Sequence, residues 1–218
     1  YSDHLDSFLD TLFPKQNLNQ TLGETLAKQN ITQLRIAETE KYPHVTFFLN
    51  GGQEVRFPGE ERILVPSPKV LTYDTQPEMS ATTVTQELTN AIAKNEFGFI
   101  VVNYANPDMV GHTGNLKATI KAVETVDQCV GKVVESVLDY DGTMLLTADH
   151  GNCEVMFDEK RGIPHTAHTT NVVPTILINA PSNVTHLKPG KLADVAPTIL
   201  DLMSIPKPKI MTGSSLLS

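Results

Sequence analysis

The sequence predicts an α/β fold, a three-layer α/β/α sandwich on a mainly parallel sheet, and three observations predict it. Apolar runs at 97–104, 143–147 and 174–179 have strand length and lack polar alternation, as in strands covered on both faces. Helical periods at 81–95, 116–138 and 192–203 alternate with them. The first two runs lead at once into side chains of metal-ligand type, Asp108 and His112 after one, Asp149 and His150 after the other. The carboxyl ends of parallel strands are where such sheets bind ligands.

Taken in order, residues 1–19 read as a tail of mixed polarity with no sustained period. A helix over 22–29 is capped by Thr21, with Glu24 at capping-box spacing. Strands are expected at 32–37 and 45–49. A turn at Asn50-Gly51-Gly52 then leads to a returning hairpin strand at 54–57. The stretch 58–77 carries Pro58, Pro66, Pro68 and Pro77 and predicts an extended surface path. Ser80 opens the helix that runs to about Asn95. In the long helix at 116–138, Ile120, Val123, Val126, Val130, Val133 and Val137 recur on a three-to-four period and predict its buried face. A loop follows the 143–147 strand as far as Pro164, with room for a short hairpin.

Composition narrows the function. With 218 residues and 40% apolar content the chain can build a sizeable core. A net charge of −8 argues against nucleic acid, which needs clustered Lys and Arg. A phosphorylated small molecule stays open, since a bound metal reverses the local potential. Cys129 and Cys153 have no metal or redox spacing and read as reduced cytosolic thiols. No apolar run is long enough to span a membrane. The polar N-terminus lacks an initiator Met and a signal-peptide pattern, so a fragment or processed chain is expected.

The candidate site residues carry alternatives. Asp108 and His112 stand four apart, which on a helical turn sets both on one face. Gly111 equally fits a loop that lets backbone approach a ligand, and an Asp here also serves as an ordinary helix cap. Asp149 and His150 are adjacent, so both can face one site only where the strand has ended; Gly151 permits that turn. His165 and His168 flank Thr166-Ala167, and spacing alone does not choose between them. Lys41, between two expected strands, can meet phosphate as a point charge, although a lone Lys is more often simply solvated. Three His and two Asp make a mixed nitrogen and oxygen cage that two divalent ions could share.

Read together, LRIAETEKYPHVTFF at 34–48, PKV at 68–70 with Tyr73-Asp74 and PEMS at 77–80, NPDMVGHTG at 106–114, TADHGN at 147–152 and TAHTTN at 166–171 resemble the cofactor-independent (2,3-bisphosphoglycerate-independent) phosphoglycerate mutases. The likeness runs from about Thr21 to the C-terminus. It implies an alkaline-phosphatase-like metal-binding domain, here at 16–218. Residues 1–15 would be the end of an inserted transferase domain and its hinge. It implies two Mn²⁺ ions, with Zn²⁺ or Co²⁺ also fitting, and no 2,3-bisphosphoglycerate. Asp108, His112 and His168 match the ligands of one ion, and Asp149 and His150 match two ligands of the other, which leaves His165 a neighbour. Lys41 matches a residue that contacts the substrate phosphate.

The resemblance further implies a cytoplasmic glycolytic isomerase that moves phosphate between the glycerate oxygens through a phosphoserine. The family's nucleophilic Ser, an Asp ligand of the second ion and most residues that hold the glycerate match nothing here. Ser2-Asp3-His4 lacks the strand and glycines of a nucleophile. The expected partners are therefore phosphoglycerate and the missing N-terminal part of the same enzyme. A chain of these residues alone is expected to be inactive and to expose a sheet edge near the metals. Two other readings stand beside this one: a phosphohydrolase or phosphopentomutase of the same superfamily, and a noncatalytic metal-binding fragment.

Overall fold

The computed structural model describes residues 8–10, 12 and 18–218. The domain end expected at 1–15 falls largely outside them.

The core is organised around β1 (Gln33–Glu38), every residue of which is buried. It lies between β2 (Glu60–Val65) and β3 (Phe99–Asn103), both parallel to it. Alternation along the strands sends side chains to two helical layers. On one face Ile36 packs with Val84 and Leu88 of α3 (Ala81–Lys94) and Val133 of α5 (Leu116–Asp139). On the other face Leu22 and Leu26 of α1 (Leu22–Lys28) meet Leu200 of α6 (Val195–Leu202), with Phe99 against them. This is the three-layer α/β/α arrangement. The three-stranded sheet is wholly parallel; apart from it, β4 (Met144–Thr147) and β7 (Thr175–Ile178) form an antiparallel pair, and β5 (Phe157–Asp158) and β6 (Ile163–Pro164) a small hairpin.

The strands expected at 45–49 and 54–57 do not form. A turn of 3₁₀ helix at Thr39–Lys41 leads into α2 (Tyr42–Val45), with Pro43 in its first turn, and the chain then folds back on itself. The Thr46 hydroxyl donates to Tyr42 O (2.7 Å), Asn50 N–H to Thr46 O (2.9 Å) and Gly52 N–H to Phe47 O (2.9 Å). Both sides of β1 are taken by β2 and β3, so a strand at 45–49 would have had no ladder beside β1 to join. The Pro-rich stretch is corrected too, because it contains β2.

Of the face of the long helix expected to be buried, only Val133 is fully inside. Ala118, Ala122, Thr125, Cys129 and Val133 are inside, while Ile120 and Val123 are exposed. Small residues let α5 pack closely on Val110 of α4 (Asn106–Gly111). Val126, Val130 and Val137 line a cleft of about 840 Å³ that separates β3 from β4. Among the described strands β3 pairs only with β1 and β4 only with β7, so the cleft is bounded by two open backbone edges. One end of it reaches Asp108, Asp149 and His150. No described helix is long and apolar enough to cross a membrane.

A polar layer sits under α1. Arg35 is fully buried, with Nη2 donating to Gln33 Oε1 (2.7 Å) and the guanidinium 5.4 Å from the Phe99 ring centroid. Burial pulls its pKa down to about 10; the charge of Glu60 opposes that and Arg62 adds to it. Gly23 makes room for it: a Cβ there would lie 2.5 Å from Arg35 Nη2 and 3.1 Å from the Phe57 ring. Alanine is worth up to about 1 kcal/mol more than glycine in a helix. Overpacking a rigid core costs about 1–3 kcal/mol. Gly23→Ala is therefore expected to destabilise by about 1 kcal/mol, read as a lower urea midpoint at unchanged slope.

Candidate metal centre

Asp108 enters the site from α4, directly after β3. Asn106 anchors the start of that helix by donating from Nδ2 to Pro77 O (2.9 Å) and Glu78 O (2.7 Å). His112 caps the helix end, so the four-residue spacing is resolved as one helical face. Asp149 and His150 follow β4, where the strand has ended and the backbone bends at these two residues; Gly151, where the turn was expected, is instead extended and bridges Thr169. His168 lies on the segment that leads to β7. Lys41 ends the 3₁₀ turn after β1 and is 5% exposed.

These elements bring the side chains to one point. The Nε2 atoms of His168 and His112 lie 2.9 and 3.0 Å from the same oxygen, Oδ1 of Asp108. They lie 3.1 Å from each other. His112 Nδ1 is 2.6 Å from Thr166 O, which can only accept, so Nδ1 carries the proton. With Nδ1 so engaged, the His112 Nε2 is the ring atom that faces Asp108 Oδ1 and is placed to ligate a cation beside it. Ligand atoms about 3 Å apart are what an ion held at about 2.0–2.2 Å requires. The donor set therefore fits a divalent metal.

His150 stacks on His168 with ring centroids 3.7 Å apart. Its Nε2 is 3.8 Å from Asp108 Oδ1 and 3.6 Å from Asp149 Oδ1. Ligand atoms of Asp108, His150 and His168 lie within 4.8 Å of one another. Asp149 is more peripheral, with its side chain 51% exposed. His165 stands outside this group; its backbone N–H donates to Met156 O (3.0 Å).

Lys41 Nζ donates to Asp108 Oδ2 at 2.5 Å. Burial pushes the Asp108 carboxyl up, but the bonds from Lys41 and Asn152 and the charge of Lys41 outweigh it and hold the pKa at about 2. The carboxylate is thus ionised at neutral pH and ready to ligate. A single bond to Asp108 leaves further N–H donors on the ammonium for a second oxygen ligand.

Sequence reasoning missed the pairing of Lys41 with Asp108 and the roles of Asn152 and Glu154. Asn152 Nδ2 donates to Asp108 Oδ1 (2.8 Å) and O (3.3 Å). Gly111 admits it, since a Cβ there would sit 2.5 Å from Asn152 Oδ1. Glu154 accepts from Asn152 N–H (2.6 Å), Asn171 Nδ2 (3.0 Å) and the Thr169 hydroxyl. The signal lay in Gly111 and Gly151, glycines set where two segments meet.

The model of the metalloenzyme superfamily matches residues 4–207. The chain belongs to that superfamily. It is 58% identical over 217 residues to the 2,3-bisphosphoglycerate-independent phosphoglycerate mutase of Gluconobacter oxydans. It is 56% identical over 217 residues to the phosphoglycerate mutase 1 of that type in Methanosarcina acetivorans. Each alignment takes in all of this chain and 42% of the relative, so the chain spans less than half the length of the curated relatives it matches. Among solved structures it is similar to Leishmania mexicana phosphoglycerate mutase crystallised at low cobalt concentration. That likeness has a TM-score of 0.86 at 30% identity and covers 92% of this chain and 40% of that one.

Proposed function

We propose that this chain is the metal-binding part of a phosphoglycerate mutase that interconverts 3-phosphoglycerate and 2-phosphoglycerate in the cytoplasm, in glycolysis and gluconeogenesis, without 2,3-bisphosphoglycerate. The convergence of Asp108, His112 and His168 on one point carries the reading. The names of relatives above half identity support the choice of reaction.

Asp108, His112 and His168 would hold one divalent ion, and Asp149 and His150 would contribute to a second. Mixed imidazole and carboxylate ligation suits Mn²⁺, with Zn²⁺ or Co²⁺ as alternatives. Such ions acidify a bound hydroxyl and balance charge on the transferring phosphoryl group. Lys41 serves twice: one N–H keeps Asp108 ionised and oriented, and another meets a phosphate oxygen. His112, held by Thr166 O, keeps the tautomer that ligates.

Residues 16–218 form the metal-binding domain, and the rest of the polypeptide supplies the nucleophilic Ser, a further Asp ligand and the groups that hold glycerate. It also supplies the occupant of the cleft. Two open strand edges, apolar walls from Val126, Val130, Val137 and Ile199, and a mouth at Asp149 and His150 suit an added strand whose end delivers residues to the metals.

A polypeptide of these 218 residues is expected to give no conversion of 3-phosphoglycerate with Mn²⁺, whereas the complete enzyme turns over. Turnover above blank by the chain alone would refute this division of labour. Failure of the complete enzyme would refute the mutase reading.

A further inference from the structure

The cluster is assembled from three separate segments, and two side chains outside the proposed ligand set cross-link them. Asn152, 5% exposed, ties the segment after β4 to Asp108 through Oδ1, the same oxygen that faces His112 and His168. Glu154 ties that segment to the one bearing His168. One carboxylate oxygen accepts the Asn152 N–H, and the other accepts the Thr169 hydroxyl and the Asn171 amide. Beside it Thr169 N–H donates to Gly151 O (2.9 Å), forming a one-residue antiparallel bridge. A Cβ on Gly151 would collide with both Thr169 Oγ1 and Glu154 Oε1. Glycine at 151 is thus what lets the carboxylate stand between the two segments. His150 precedes the bridge on one side and His168 on the other, and their rings stack.

We propose that Glu154 is a positioning residue for the metal centre. Its carboxylate clamps the His150 segment to the His168 segment and, through Asn152, holds both in register with Asp108. The inference rests on the metal reading above but not on the reaction assigned to it. A carboxylate accepts on both oxygens at once. Glu154→Gln keeps the shape but turns one end into a donor facing a donor, so the clamp loses one arm. Groups that orient ligands from outside the coordination sphere typically contribute 10–100-fold to metal affinity.

The test uses the complete enzyme carrying these residues and Mn²⁺ alone, with binding followed by calorimetry. Glu154→Gln and Thr169→Val are each expected to weaken Mn²⁺ binding by about 10–100-fold. The melting temperature in EDTA should stay close to that of the parent, and kcat should recover at saturating Mn²⁺. The double variant should be no weaker than the worse single one, because both cut the same clamp. Unchanged affinity in Glu154→Gln, an equal loss of metal-free stability, or additive losses in the double variant would overturn the clamp while leaving the metal site standing. A parent protein that binds no Mn²⁺ would overturn the metal reading and the clamp together.

Discussion

Asp108→Asn should abolish metal binding and destabilise the fold at the same time, because one carboxylate does two jobs. Oδ1 faces His112 and His168, and Oδ2 neutralises Lys41. Lys41 is 5% exposed, so the variant strands a buried ammonium. Removing one partner of a buried pair costs about 3–5 kcal/mol, less if the lysine gives up its proton. In the complete enzyme turnover should fall by about 10²–10³-fold or more, the scale of losing one preorganised electrostatic group. Urea unfolding in EDTA and Mn²⁺ titration separate the two effects. Adding Lys41→Met to Asp108→Asn removes the stranded charge, so stability should largely return while metal binding does not. A double variant as unstable as the single one would mean that the Lys41 charge is not what the lost carboxylate leaves behind.

The same carboxylate gives the sign of an acid effect. Its folded-state pKa of about 2 lies below the ordinary Asp value. The pair's contribution is therefore complete above the unfolded-state value near 4 and is lost as pH falls toward 2. Protons also compete with metal for its ligands, so acid should release the ion.

The second large effect concerns the cleft. Val126, Val130 and Val137 of α5, Ile100 and Val102 of β3 and Leu146 of β4 line it and are only half-buried. Burying the rest of each such side chain is worth about 1 kcal/mol, so a strand that filled the space would add several kcal/mol and raise the melting temperature by roughly 10 °C or more. A polypeptide of these 218 residues alone should bind a hydrophobic dye strongly and self-associate through the β3 and β4 edges. Co-expression with the remainder of the polypeptide should abolish both. A compact monomer by sedimentation that binds no dye would show that the cleft needs no occupant.

Much of the site is legible in the sequence itself. Apolar strand runs stop just short of Asp108 and Asp149, and strand ends are where a parallel sheet opens. Repeated His and Asp on such ends carry chemistry that ordinary loops lack. The segment between Lys41 and Phe57 was not legible. Its Val45, Thr46, Phe47 and Phe48 have strand preferences, yet β1 already had both neighbours, and the chain closed into local turns instead. The face of α5 was misread for a similar reason. Its valines are apolar enough to be core, but four of them line a cleft and only Val133 of these is fully buried, while Ala118, Ala122 and Cys129 are small enough for close packing.

The succession of α3, β3, α5, β4, β7 and α6, the placing of Asp108 and Asp149 after strands and the kind of chemistry available were set by local pattern, because period, caps and residue type act within a few positions. Which oxygen faces which imidazole, that Lys41 is the counter-ion of Asp108, and that Glu154 joins two segments were decided only by tertiary structure. The contacts of Asp108 with Lys41 and His168 and of Glu154 with Thr169 join residues 15 to 67 positions apart. Hydrogen bonds and ion pairs act over a few ångströms, and only the packed sheet and its helices bring such distant atoms that close.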